Sequence, residues 1–515
     1  MRLAGIIVLL LAAVSHAAQP EQVRMVEAQT KPGKPWKAFP TRLLEDVPEN
    51  LSENRPSSLG RPSRTELPTG CGTGPKNLSE NRPSHLERPS RTELPTGSGT
   101  GPKSVKPQLE AELDQYGGQV TRRAKATGFF YPAKIDGRWW LVDPDGGLFI
   151  HVAIAGVTTV RTPEAEAALA RKFGDKDHWA ASATDMLRQH AFNGTGAWSD
   201  TTRLRSVQRP MAYTRIWNFM ASYGKQRGGT YQSPGHTGYP GDCIFVFDPE
   251  FEPFCDRHAR QLAEGKNDPW LLGHFSDNEM PLTRSSLKNF LQLPEGDAGR
   301  LAAERWLKDR HGPHATIKDV TEQDLSDFRG VVVERYYRIV SQAIKRYDPN
   351  HLYLGSRFYG RDLERPEIFR AAGPYVDVVA VNYYRAWTPD PERLAMWERE
   401  SKRPILITEW YAKGVDSGMP NTSGAGWTVR TQRDRGCFYQ NFTLGLLESR
   451  VCVGWHWFKY ADNDPADTKA DPSNLDANKG IVTARYEPYP ALLEAMNQLN
   501  QHVYPLIDYF DRGKQ

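Results

Sequence analysis

From residue 148 to residue 503 the chain alternates eight short apolar runs with stretches of helical periodicity, and this alternation constrains its fold more than any other feature. The runs end at or near Ala155, Trp198, Trp217, Phe275, Gly355, Val381, Glu409 and Phe458. Helical patterns occupy 163–173, 180–189, 249–264, 301–308, 324–347, 391–401 and 431–449, with a last one at 490–503. Runs that are aliphatic at successive positions read as parallel strands buried on both faces. Eight of them with helical crossovers predict an α/β chain folded as a (β/α)8 TIM barrel. Just ahead, 134–150 alternates short strands with Asp136-Gly137 and Pro144-Asp145-Gly146-Gly147, the turn chemistry of a hairpin leading into the first barrel strand. The Gly-, Ser- and Pro-rich stretch 222–241 reads as a long loop of the kind that shapes clefts.

On this strand count two glutamates hold special positions. Glu279 follows the fourth run through Ser276-Asp277-Asn278, and Glu409 ends the seventh, Ile405-Leu406-Ile407-Thr408. Catalytic groups of such barrels sit at the C-terminal strand ends, and the fourth and seventh ends face each other across the mouth. Two carboxyls so placed can cut a glycosidic bond with retention if about 5–5.5 Å separates them. Glu279 is then the acid/base, its protonated form favoured by burial and by the second carboxylate, and Glu409 the nucleophile. Asn278 can hydrogen-bond a sugar 2-hydroxyl. The sixth run ends in Asn382, Tyr383 and Tyr384, and either tyrosine can hold Glu409 ionised. Trp455 and Trp457 share a face of the eighth strand, so one of them is expected to floor the sugar site. His456 is placed with the substrate-binding group, and it and His274 read as cleft or core histidines rather than metal ligands. Arg357, just past the fifth strand, orients a cleft carboxylate or is a surface charge. Tyr384 and Trp410 have packing as their plainer alternative. The acidic runs 462–467 and 471–474 offer many oxygen ligands, with calcium as the alternative reading, but read as solvated loops because their spacing matches no EF-hand. No metal and no cofactor is expected.

The first 18 residues pair Met1-Arg2 with an apolar run over 3–14 and the small residues Ser15-His16-Ala17-Ala18. That is the form of a secretory signal, too short to span a bilayer, and implies a secreted or periplasmic protein with no membrane partner after cleavage. Residues 19–124 read as a disordered linker. Within it 50–76 and 77–103 are two 27-residue copies that differ only at Ser58/His85, Gly60/Glu87 and Cys71/Ser98. Their Pro, Ser, Arg, Gly and Thr content buries too little apolar surface to offset chain entropy, and two copies are too few for a solenoid. A net charge of +4 with interspersed signs gives no reason to expect a nucleic-acid or anionic-membrane partner. Five cysteines, an odd number, argue against a disulfide framework, leaving Cys243 with Cys255 as a candidate bridge.

The motifs also resemble a known family. Asn278-Glu279 with Ile407-Thr408-Glu409 is similar to glycoside hydrolase clan A, whose members are retaining (β/α)8 enzymes. Gly137-Arg138-Trp139-Trp140, Tyr353-Leu354-Gly355-Ser356-Arg357-Phe358 and Val453-Gly454-Trp455-His456-Trp457-Phe458 resemble the catalytic module of family 50 β-agarases, over 127–511. Asn474, Asn478, Lys479 and Gly480 match a downstream loop that lines the cleft in that family. The resemblance implies hydrolysis of a β-linked galactan such as agarose, with Glu279 as acid/base, Glu409 as nucleophile and Asn474 among the substrate contacts. Two departures concern recognition: the linker stands where the family carries a sugar-binding β-sandwich, and Trp410-Tyr411-Ala412 replaces a Phe-His-Phe-like segment. Another β-linked polysaccharide, sulfated galactan, mannan or glucan, remains the alternative substrate. A non-catalytic polysaccharide-binding barrel is the alternative outside enzymes. The attack mode and the oligomeric state are left open by the sequence.

Overall fold

The computed structural model describes residues 23–47, 112–467 and 473–512. The signal-like segment and both repeat copies lie outside the described residues. Eight parallel strands form the centre: His151–Ala155, Gly194–Thr195, Ala212–Ile216, Leu271–Phe275, Leu352–Gly355, Val379–Asn382, Ile405–Glu409 and Cys452–Phe458. Each expected strand is present and in order. The first strand pairs with both the second and the eighth, and the fourth with the third and fifth. Between the fifth and sixth strands the gap is bridged just past Gly355, where Phe358 N donates to Ala380 O at 2.9 Å and Asn382 N donates to Phe358 O at 2.8 Å.

Burial follows the sequence pattern. Leu272, Leu352, Leu354, Val378, Ala380 and Leu406 fill the barrel interior, while Ile405, Ile407 and Val381 pack outward against the helices. The helices begin where the chain supplies caps: Thr321 and Asp324 form a capping box for Glu322–Tyr347, and Thr431 and Asp434 do the same for Gln432–Glu448. Such caps contribute about 1 kcal/mol each.

The expected hairpin is part of a larger unit. Gln119–Arg123, Tyr131–Ile135, Arg138–Val142 and Gly147–Phe149 form a four-stranded antiparallel sheet at the N-terminal end of the barrel. Its Phe130 and Phe149, with Tyr116, pack into the interior cluster and close that end.

A disordered linker over 19–124 is therefore corrected at both its ends. Met25–Gln29 pairs antiparallel with Lys37–Pro40 and with Trp427–Val429, which in turn pairs with Ala412–Gly414 just after the seventh barrel strand. Phe39 stacks on Trp387 at 5.1 Å, and Trp387 Nε1 donates to Thr41 Oγ1 at 3.0 Å. The anchoring partners lie about 350 to 400 residues away, so local composition could not reveal them. The 222–241 loop is also more ordered than expected: the helix Phe219–Arg227 leads into a small hairpin of Tyr231–Ser233 with His236–Gly238. Cys243 and Cys255 are not bridged; among the described residues all four cysteines are buried free thiols. No helix among the described residues is long and apolar enough to cross a membrane.

Candidate active site

A cleft of about 1430 Å³ opens at the C-terminal strand ends, and both glutamates line it. The backbone there departs from strand geometry. Gly156, Trp198, Asn218, Glu279, Arg357 and Arg385, which follow the first through sixth strands, all have φ between 48° and 65°. Five of these six carry side chains, and left-handed backbone costs such residues about 1–2 kcal/mol each. The fold spends that energy around the cleft.

Glu409 is held by two fixed donors. Arg357 Nη2 donates to Oε1 at 2.6 Å, and Tyr384 Oη donates to Oε2 at 2.8 Å. Burial and the neighbouring carboxylate raise the Tyr384 phenol well above its ordinary value, so it stays a donor. Arg357 is wholly buried and also donates to Thr408 O at 3.1 Å and, through Nη1, to Asn278 Oδ1 at 2.9 Å. One guanidinium thus ties the residue before Glu279 to Glu409.

Glu279 is held from the sixth strand. Asn382 Nδ2 donates to its Oε1 at 2.8 Å, while Asn382 Oδ1 accepts from Thr408 Oγ1 at 2.8 Å, which fixes the amide orientation. Asp277 anchors the same turn by accepting from Met220 N at 2.9 Å, Ala221 N at 3.1 Å and Tyr336 Oη at 2.5 Å. Burial pushes the Asp277 carboxyl up to about 7, against the pull of those donors.

Other expected site residues fall elsewhere. Tyr383 points outward: its hydroxyl accepts from Asp390 N at 3.1 Å, and its ring packs on Trp397 and Phe442. Trp455 and Trp457 do share a face, but it is the outer one. Trp455 Nε1 donates to Tyr439 Oη at 2.8 Å and Trp457 Nε1 to Lys479 O at 2.9 Å, with both rings fully buried. His456 lies inside the barrel, its Nε2 2.9 Å from His151 Nδ1, and burial holds its basicity well below the usual range. None of these three lines the cleft. Asn474 does, beside Ser473 and Asn463.

Of the cleft's aromatic residues the sequence reading placed Tyr384 in the site and gave no site role to the others. Trp198 is 39 % exposed with Arg357 Cζ 5.7 Å from its ring centre, and Tyr359, Tyr411 and Phe458 line the walls. Trp198 ends the second strand run, so the strand-end rule that found the glutamates would have found it too. His236, on the small hairpin, carried no recognisable sequence signal.

Two clusters test whether the chain offers a metal site. His274, Asp348 and His351 are buried together. Trp217 Nε1 donates to His274 Nδ1 at 3.0 Å, leaving Nε2 to donate to Asp348 Oδ2 at 2.8 Å, and His351 Nδ1 lies 2.7 Å from the same oxygen. With one ring nitrogen already accepting, His274 has no lone pair left for an ion. In the acidic loop Asp462 accepts from Lys479 N, Gly480 N, Tyr489 Oη and Asn478 Nδ2, so this carboxylate serves as a staple.

With this geometry in view, the likeness to known proteins becomes specific. The chain is 26 % identical to Beta-agarase B of Vibrio sp. (strain JT0107) over 495 residues, covering 76 % of this chain and 50 % of that protein. Beta-agarase A of the same strain is also 26 % identical, over 65 % of this chain and 37 % of its own length. The chain is homologous to these Vibrio β-agarases. It spans half or less of their length. Among solved structures, BpGH50 superposes with a TM-score of 0.74 at 28 % identity, covering 95 % of this chain and 96 % of that one. An exo-beta-agarase shares the fold with a TM-score of 0.63 at 22 % identity, over 78 % and 69 % of the two chains. No protein-family profile matches the chain.

Proposed function

We propose that the chain is a retaining glycoside hydrolase that cuts the β-glycosidic bonds of a galactan such as agarose, with Glu279 as acid/base and Glu409 as nucleophile. The observation that carries this reading is that the two carboxyls line one cleft and each is pinned by a different set of donors. Arg357 and Tyr384 each hold one oxygen of Glu409 and so fix the carboxyl in place for attack on an anomeric carbon. Asn382 holds Glu279 through one carboxyl oxygen, which orients the carboxyl at the cleft for proton delivery to the leaving oxygen. Asn278 spends its Oδ1 on Arg357, so its Nδ2 is the edge offered to the sugar 2-hydroxyl. The same Glu279, then deprotonated, draws a proton from the water that releases the glycosyl-enzyme. Similarity to the Vibrio β-agarases supports agarose as the substrate class.

Three exposed cations on the cleft wall, Arg161, Arg361 and Arg385, favour a second reading in which the galactan is sulfated. The signal-like first 18 residues fit action outside the cytoplasm, where such polysaccharides are met.

Product analysis after incubation with agarose, with Glu409→Ala as control, tests the reading. Neoagaro-oligosaccharides are expected from the parent and not from the variant, and proton NMR of the first product should show the β-anomer. Release of sugar from a sulfated galactan alone would transfer the assignment to that substrate. Release of the α-anomer would refute retention.

A further inference from the structure

At the end of the eighth strand a half-buried cation stands in the cleft wall and has no part in the mechanism above. Lys459 follows Phe458 and lines the cleft with Asn463 and Asn474. Its backbone is fixed from two sides. Lys459 N donates to Lys479 O at 3.2 Å, its carbonyl accepts from Ile481 N at 3.2 Å, and the next amide, Tyr460 N, donates to Ala155 O of the first strand at 3.1 Å. The stem lies over the end of that strand, where a Cβ at Gly156 would be 3.2 Å from Lys459 Cβ and 3.4 Å from Cδ. Lys459 Nζ donates to Asn463 Oδ1 at 2.5 Å, and Asn463 Nδ2 in turn donates to Asn474 O at 2.9 Å. An ammonium carries three donors. Among the described residues Asn463 Oδ1 is the one acceptor this ammonium has. Burial pushes it down from 10.5 to about 8, against the pull of the Asp462 and Asp467 charges, so near neutral pH it is a partly desolvated cation.

The ring of strands decides which sugar it meets. The fourth and eighth strands are four steps apart in either direction around the barrel, so Lys459 stands across the mouth from Glu279 and beside the strand of Glu409. On the hydrolase reading above, on which this inference rests, Glu279 delivers its proton to the oxygen of the departing sugar. That sugar lies on the Glu279 side, and the sugar under attack extends toward the opposite wall. We propose that Lys459 is a specificity-determining residue for the glycone, its ammonium donating a hydrogen bond to a hydroxyl oxygen of the sugar on the Glu409 side of the cleaved bond. A charge-assisted bond of this kind is about twice as strong as a neutral one. Because Asn463 and the fixed backbone already hold the donor in place, little ordering remains to be done on binding.

Two substrates with the same glycone, a neoagaro-oligosaccharide and the matching glycosyl fluoride, test the side, and calorimetric binding of the oligosaccharide to Glu409→Ala tests the contact. Lys459→Met keeps the stem and removes the donors. It is expected to lower kcat/KM by about 10- to 100-fold on both substrates, since fluoride fills no sugar position beyond the glycone. Binding in the Glu409→Ala background should weaken about ten-fold, with Tm no lower than that of the parent, because the burial penalty goes with the charge. Lys459→Gln, which keeps N–H donors on a shorter stem, should recover part of both rates, and it carries the test if the methionine variant folds poorly. A loss confined to the oligosaccharide would put Lys459 beside the departing sugar and overturn the assignment. Unchanged binding in the Glu409→Ala background would also overturn it, leaving Lys459 as a staple for the loop of Asn463. A parent enzyme that attacks neither substrate would instead sink the hydrolase reading itself.

Discussion

Arg357 and Glu409 form a buried ion pair, Nη2 to Oε1 at 2.6 Å, with the guanidinium fully enclosed while the carboxylate keeps an edge on the cleft. The arginine spreads its donors over Glu409, Thr408 O and Asn278 Oδ1. A lysine is a point charge and cannot serve all three. Arg357→Lys should therefore lower kcat/KM on agarose by roughly 100-fold, and Arg357→Ala should also destabilise the fold by about 3–5 kcal/mol, because a buried carboxylate loses its partner. Kinetics and thermal melting of the two variants check both parts; near-parent activity in the lysine variant would show that charge alone suffices.

Tyr384 offers the second donor to Glu409. Removing a hydrogen bond to a charged group costs about 1.5–3 kcal/mol, so Tyr384→Phe should reduce kcat by about one to two powers of ten with the fold intact. Tyr383→Phe provides the contrast, since that hydroxyl binds only the Asp390 amide in the outer layer. Its kcat should stay within about two-fold of the parent, and a larger fall there than at Tyr384 would contradict the placement of the two rings.

Among the aromatics the expected division is between binding and stability. Trp198→Ala should raise KM about ten-fold with a smaller change in kcat, because an exposed platform binds ground state and transition state alike. Trp457→Phe should leave KM unchanged and lower Tm by several degrees, since it loses a buried hydrogen bond and core volume. Reversed phenotypes would mean that the eighth strand faces the other way.

Burial pushes the Lys413 ammonium down from 10.5 to about 8, although its Nζ donates to Asn421 O, Ser423 O and Gly424 O. Asp476 acts on it as a favourable charge and Lys31 as an unfavourable one. Below pH 8 it is charged in folded and unfolded chains alike, and the burial penalty is fully present. Between about 8 and 10.5 the folded chain binds fewer protons, so stability from this group rises with pH. The Tm difference between the parent and Lys413→Met should accordingly move in favour of the parent from pH 7.5 to 10. A constant difference would show that Lys413 is not the titrating group.

The barrel was legible because parallel strands buried on both faces are written as unbroken aliphatic runs such as Ile405-Leu406-Ile407, and position at a strand end then picked out Glu279, Glu409 and Asn382. Arg357 was legible as a residue and ambiguous as a role, since nothing local says that its guanidinium turns inward. The tryptophans of the eighth strand show the limit of period-two reasoning. It places Trp455 with Trp457 but cannot say on which side, and an irregularity where the ladder passes from Cys452 to Gly454 resets the parity. Met25–Gln29 was missed for another reason: a strand this short is defined by the partners it finds, here Trp427–Val429 on one side and Lys37–Pro40 on the other.

The left-handed residues that follow six successive strands have one more consequence. A pleated strand sends consecutive side chains to opposite faces, yet Asn278 and Glu279, neighbours in sequence, both line the same cleft. The kinks let each strand end crowd more chemistry onto one side than pleating allows. They also make the rim the least forgiving place for gradual drift: glycine or asparagine could replace Trp198 or Arg385 and keep the backbone, whereas a valine there would displace the neighbouring groups along with itself. New substrate preferences would therefore be reached more readily through the loops beyond the kinks than through the kinks themselves.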